Sequence, residues 1–200
     1  NNWTVGGGTL TKTEDCPSNV FATLNGILQT NEILSNGNTS ANSASATWSY
    51  VATTIGVSSG KWYAEFLCSG AANTFMHGVT DLQYATRQGG YIGAATIARG
   101  VGYLSINGSS YIDDTTAAYG ASYVVGDYIG CALDMDNNKV YFSKNGVWQN
   151  SGDPTSGATG TGALSLPTTG TYGFGTSNKD DSTTRANFGN GYFGTTAVSS

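Results

Sequence analysis

The chain has 200 residues, of which 10% are charged and 12% aromatic, and it carries 29 glycines. Its net charge is −5 at pH 7, and its eight basic side chains are scattered, so no phosphate-binding stripe forms and nucleic acid is excluded as a partner. No apolar run is long enough to insert in a membrane, and so few charges fit poorly with long surface helices, which present a charged face.

Residues 1–12 are Gly-rich and read as an arm or connector. Residues 16–25 follow, where Val20, Phe21 and Leu24 are placed to plug an edge of a sheet. Residues 33–45 read as a short strand and then a polar Ser/Asn loop. The spacing of apolar residues predicts strands over 48–57 and 61–68, with Trp62, Ala64, Phe66 and Cys68 on one face and Tyr63, Glu65 and Leu67 on the other. Further strands are expected over 74–79, 91–98 and 102–106. Residues 81–90 and 111–119 are expected as loops, and Asn107-Gly108 as a turn. Residues 150–162 form a long loop by composition. Short closing strands are expected over 164–166, 172–175 and 185–188. Many short strands separated by turn signals give an all-β, two-layer antiparallel β-sandwich over 46–194, with an irregular N-terminal extension over 1–45 and a tail over 195–200.

Cys16, Cys68 and Cys131 are odd in number and scattered, so all three are expected to be reduced, and no Cys/His spacing suggests zinc. With no initiating Met and no signal peptide, Asn1 is expected to be an internal or processed start. Sequons at Asn2, Asn38 and Asn107 match chance in a chain so rich in Asn, Ser and Thr.

The densest signal is GDYIGCALDMDNNKVYFSKNGVW over 126–148. Ile129, Cys131 and Leu133 share one strand face, and Tyr128, Gly130, Ala132 and Asp134 share the other. Asp136, Asn137 and Asn138 supply a hairpin turn, and Asn145-Gly146 ends the returning strand. This hairpin, together with GKWYAEF over 60–66, resembles the SPRY family. The resemblance implies a concanavalin-type sandwich that binds through loops at one end. CPSNVFATLN over 16–25 and RANFGNGYF over 185–193 resemble the flanks of SPRY-containing structural proteins of tailed bacteriophages. In those relatives the closing segment reads Asn-Phe-Gly-Gln-aromatic-Phe before a Pro-rich tail. Here Asn190-Gly191-Tyr192 replaces the Gln region and no Pro follows. The flanks imply a virion protein, on a tail fibre or head surface, assembled in the host cytoplasm and oligomeric in the particle. Its partners would be other virion proteins and a host surface glycan or protein. The alternatives are a decoration or packing protein without a ligand and a cellular SPRY interaction module.

Nothing in the sequence builds a catalytic centre. A glycosidase on such a sandwich needs facing carboxylates, and of the three Glu (Glu14, Glu32, Glu65) none has an acidic neighbour on its own strand face. Asp134 and Asp136 have the spacing, but turn chemistry accounts for both. The calcium-loop match that begins at Asp134 fails at Lys139 and Asn145. Asp113-Asp114 and Asp180-Asp181 read as solvated acidic loops. His77, the single histidine, lies in a strand and lacks a nucleophile elbow. No enzyme, cofactor or metal is expected. The candidate ligand-binding residues are Tyr84, Arg87, Tyr91 and Trp148, since stacking faces and a forked donor suit sugars or carboxylates. The competing reading starts a strand at Tyr91, leaves Arg87 solvated and uses Trp148 to cover the sandwich edge.

Overall fold

The computed structural model describes residues 21–29, 31–85, 90–96 and 98–189. In chain order the strands are β1 (Leu24–Gln29), β2 (Ile33–Ser35), β3 (Ser40–Ser43), β4 (Ser49–Thr53), β5 (Lys61–Gly70), β6 (Phe75–Asp81), β7 (Gly100–Leu104) and β8 (Ser109–Ile112). They continue with β9 (Thr115–Ala118), β10 (Tyr128–Asp134), β11 (Lys139–Lys144), β12 (Val147–Trp148), β13 (Leu164–Ser165), β14 (Tyr172–Asn178) and β15 (Ser182–Asn187). One sheet runs β1-β4-β14-β6-β7-β8-β9. The other runs β12-β11-β10-β5-β15-β3-β2, with β13 also on β11. Every pairing is antiparallel, so the chain is the expected two-layer sandwich.

Period-two alternation fills the space between the sheets. Ala64, Phe66 and Cys68 of β5, Ile129, Cys131 and Leu133 of β10, and Val140 and Phe142 of β11 meet Phe75, Val79, Val101, Tyr103 and Phe174 from the opposing sheet. Each large apolar side chain buried this way contributes roughly 1.5–3 kcal/mol. Cys68 and Cys131 are buried free thiols, as expected; Cys16 lies outside the described residues. The central hairpin has the predicted faces and register, from Ile129↔Lys144 to Asp134↔Lys139. Its turn is fixed by Asn138 at φ 54° and by Asp134, which accepts a hydrogen bond from the Asn137 amide at 3.1 Å.

Three stretches differ from their sequence expectation. Residues 24–43, placed with the connector, supply β1 and β3 to the two sheets beside the expected short strand, which is β2. Asn36, Gly37 and Asn38 all have positive φ and make the turn. The polar stretch expected as a loop pairs as β3, burying Ser40, Ala41 and Ser43. Residues 111–119, expected as a loop, lie mostly in the β8–β9 hairpin, with Ile112 paired to Thr115 around Asp113 (φ 48°) and Asp114 (φ 62°). Its outer strand β9 is exposed on both faces, so it has no apolar alternation to read. The strand expected over 91–98 is a series of turns in its described residues. Gly93 sits at φ 92°, and a Cβ there would stand 2.5 Å from the Tyr111 carbonyl oxygen, so the backbone passes too close to β8 for a side chain.

Candidate recognition surface

The β8–β9 turn organises one end of the sandwich. Asp113 takes a bidentate pair from Arg99, with Nε 3.0 Å from Oδ1 and Nη2 2.7 Å from Oδ2. The same guanidinium lies 5.5 Å from the centre of the Tyr84 ring, a cation–π distance. Asp114 accepts the Tyr91 hydroxyl at 2.8 Å and the Ala95 amide at 3.2 Å. Tyr91 packs edge-on against Trp48 and Tyr111. Burial, and then the Asp114 carboxylate, push its phenol up to about 12, so it is a neutral donor spent within the fold.

Beside Tyr84 lies an open depression of about 540 Å³, lined by Tyr84, Asn138, Leu166, Pro167, Thr168 and Thr169. Thr168 is held from below by Asp81 at 2.7 Å and by the Tyr172 hydroxyl at 2.6 Å. Asp81 is itself buried and accepts the Gln83 amide. The wall is therefore rigid, while Tyr84 (38% exposed) and Thr169 face solvent. An aromatic face, a proline edge, threonine hydroxyls and an amide suit a short polar segment of a ligand better than an apolar one.

The four candidate residues do not form one cluster. Tyr84 and Tyr91 are brought together through Arg99 and the Asp113-Asp114 turn. Arg87 lies outside the described residues. Trp148 belongs elsewhere: it pairs opposite Ser143 on β11, whereas the depression reaches Asn138 at the other end of that strand. The run from Asn138 to Ser143 spans roughly 17 Å at about 3.4 Å per residue. Trp148 packs edge-on against Tyr63, with ring centres 6.4 Å apart. Arg99, Pro167 and Thr168 carry no sequence signal of a site. Only the Asp-Asp turn chemistry beside a lone Arg would have pointed to the first.

The groups a catalytic reading would use are engaged in the fold. Asp134 is 3% exposed and bonds Lys61 Nζ at 2.7 Å, while Asp136 accepts the Gly60 amide at 2.7 Å. Together they fasten the hairpin turn to the start of β5, as the turn reading expects. His77 is fully buried and stacks on Phe66 at 4.9 Å. Its ring nitrogens face Thr176 Oγ1 at 3.1 Å and Cys68 Sγ at 3.4 Å, and burial lowers its pKa to about 3. It is a neutral core residue.

A polar chain continues from His77. Thr176 meets Thr184 at 2.9 Å, Thr184 donates to Asn178 Oδ1 at 2.7 Å, and the Asn178 amide donates to Glu32 at 3.1 and 3.3 Å. Ser49 also donates to Glu32. Burial raises the Glu32 carboxyl to about 7, against these hydrogen bonds, which pull it down.

A family model for the SPRY domain matches residues 61–170. Among solved structures, the SPRY domain of human HERC1 superposes with a TM-score of 0.62 at 16% identity, covering 82% of this chain and 96% of that one. A second human SPRY domain superposes with a TM-score of 0.59 at 14% identity, covering 80% and 97%. A comparison with curated proteins finds no sequence match.

Proposed function

The chain belongs to the SPRY domain family, and on that premise we propose that it is a non-enzymatic recognition module that grips its partner at the Tyr84 depression. The family is one of protein-interaction modules, which makes a protein the leading partner class. The observation that carries the site is the pairing of a rigid, hydrogen-bonded wall at Thr168 with a solvent-facing Tyr84 held by Arg99. Such a wall lets a ligand bind without first ordering its site.

The setting we propose with it is the surface of a tailed-phage particle, on a fibre or the head, where the depression would contact a host surface protein or glycan. This part rests on the flanking sequences 16–25 and 185–193 alone. Both named structural neighbours are human SPRY domains.

The test is adsorption of the labelled chain to candidate host bacteria and to their extracted surface proteins and glycans. The variant Tyr84→Ala with Thr169→Arg serves as the blocked form. Saturable binding lost in the blocked form, with its melting temperature preserved, is the expected result. Binding that survives the double substitution moves the site away from the depression. Binding to no strain by a folded sample removes the host-surface role.

A further inference from the structure

The outer face of the β5/β10/β11 sheet carries a second, separate feature. Register places Glu65, Gly130, Ser143 and Trp148 opposite one another across β5, β10, β11 and β12. Two positions of that row are small. Gly130 has no side chain because the Tyr63 hydroxyl and Ser143 Oγ occupy the space its Cβ would need. Tyr63 therefore lies across the row. Its ring meets Trp148 at an interplanar angle of 70°, and its hydroxyl donates to Glu65 Oε1 at 2.9 Å. The result is a pair of partly exposed aromatic rings standing over the buried Gly130 and Ser143, with a carboxylate at one end. Tyr63 is 40% exposed and Val147 on the rim 66%.

Glu65 is the unusual member. It is only 7% exposed, and among the described residues its side-chain hydrogen bond is to Tyr63 and none of the ion pairs reaches it. Burial raises its pKa, and the Tyr63 bond draws it back. Buried carboxylates in folded proteins are paired, and the open face of an aromatic ring attracts a cation. We propose that Trp148, Tyr63 and Glu65 form a receptor for the lysine ammonium of a partner protein.

Lysine rather than arginine follows from the oxygens. Tyr63 takes one acceptor site of Oε1, so Oε2 is the oxygen with both sites open. A guanidinium fork would share Oε1 with the Tyr63 hydroxyl to make its bidentate bond, whereas an ammonium is a point charge satisfied at Oε2 alone. The net charge of −5 favours a basic partner as well. The proposal shares with the previous section the premise of a protein partner but uses a different surface.

The experiment is an NMR titration of the Trp148 indole N–H with end-capped tripeptides Gly-Lys-Gly, Gly-Arg-Gly and Gly-norleucine-Gly, and with tetramethylammonium. Saturable shifts are expected with the lysine peptide in the millimolar range, weaker ones with arginine and none with norleucine. Glu65→Gln keeps an oxygen for the Tyr63 hydroxyl and removes the charge, and it should weaken lysine binding roughly tenfold. The variant Tyr84→Ala with Thr169→Arg should bind the lysine peptide unchanged, so failure at the depression and failure here remain separate results. Equal shifts with norleucine, tighter binding of arginine, an unaffected Glu65→Gln, or binding of tetramethylammonium without the lysine peptide would each overturn the proposal.

Discussion

The sandwich has two interiors that obey different rules. Around Phe66, Leu133, Phe142 and Tyr103 the space between the sheets is filled by aromatic and aliphatic side chains. Towards β3, β14 and β15 it is filled by a hydrogen-bonded series running Glu32, Asn178, Thr184, Thr176, His77. The first is non-directional, and its stability scales with area removed from water. The second consists of groups that would each destabilise the fold if unpaired. The aromatic half is therefore expected to fail by leaving a cavity, and the polar half by losing a partner.

The largest effect expected from breaking this contrast is Phe142→Ala. It empties a fully buried aromatic site and should cost about 3–5 kcal/mol in denaturant unfolding. The next lies in the polar half and depends on pH. Between pH 4.5 and about 7, folded Glu32 keeps a proton that the unfolded chain has released, so stability falls as pH rises through that window. Between pH 6.5 and about 3, folded His77 refuses a proton that the unfolded chain takes up, so stability falls as pH drops. Their combined contribution is greatest on the acid side of neutrality. Glu32→Gln should match the parent at pH 5 and exceed it by about 3 kcal/mol at pH 8. Because the His77 slope opposes that of Glu32 up to about pH 6.5, the readout is the difference between variant and parent: an advantage of Glu32→Gln that stays constant from pH 5 to 8 would show that Glu32 is not buried as a neutral acid.

Asn178→Ala removes the shared partner of Glu32, Thr184 and the Ala41 carbonyl. It should cost roughly 2 kcal/mol, and adding Glu32→Gln should recover part of that loss, since a double-mutant cycle reports coupled neighbours. The smallest effect belongs to Lys61→Ala. Its ammonium is largely exposed and screened by water, and the buried Asp134 keeps its two hydrogen bonds from Asn137, so the melting temperature should barely move.

The two interiors also differ in how far they can be read from sequence. The aromatic half is legible because Ile129, Cys131 and Leu133, and Ala64, Phe66 and Cys68, announce their faces by alternation. The polar half is not. Thr176 and Thr184 look like any surface threonines of a β-protein, and β3 looks like a loop because its buried members are Ser40, Ala41 and Ser43. Of the candidate site residues, Tyr84 and Tyr91 do share one end of the molecule. Yet Tyr91 is spent on Asp114, and Trp148 pairs with Tyr63 on another face. The residues that shape the two proposed sites, Arg99, Thr168 and Glu65, differ in nothing visible from solvated ones.

The all-β class, the central hairpin with its register and inward faces, and the SPRY membership those residues signal are written in the chain. They depend on a period of two and on turn residues, which are properties of neighbours along it. That Glu32 meets Asn178, 146 residues away, that Arg99 and Tyr84 share a cation–π contact, and that Trp148 and Tyr63 meet beside Glu65 emerges on folding. Those partnerships arise from which strands lie side by side and in what register. That arrangement follows from packing the whole sandwich, not from any local pattern.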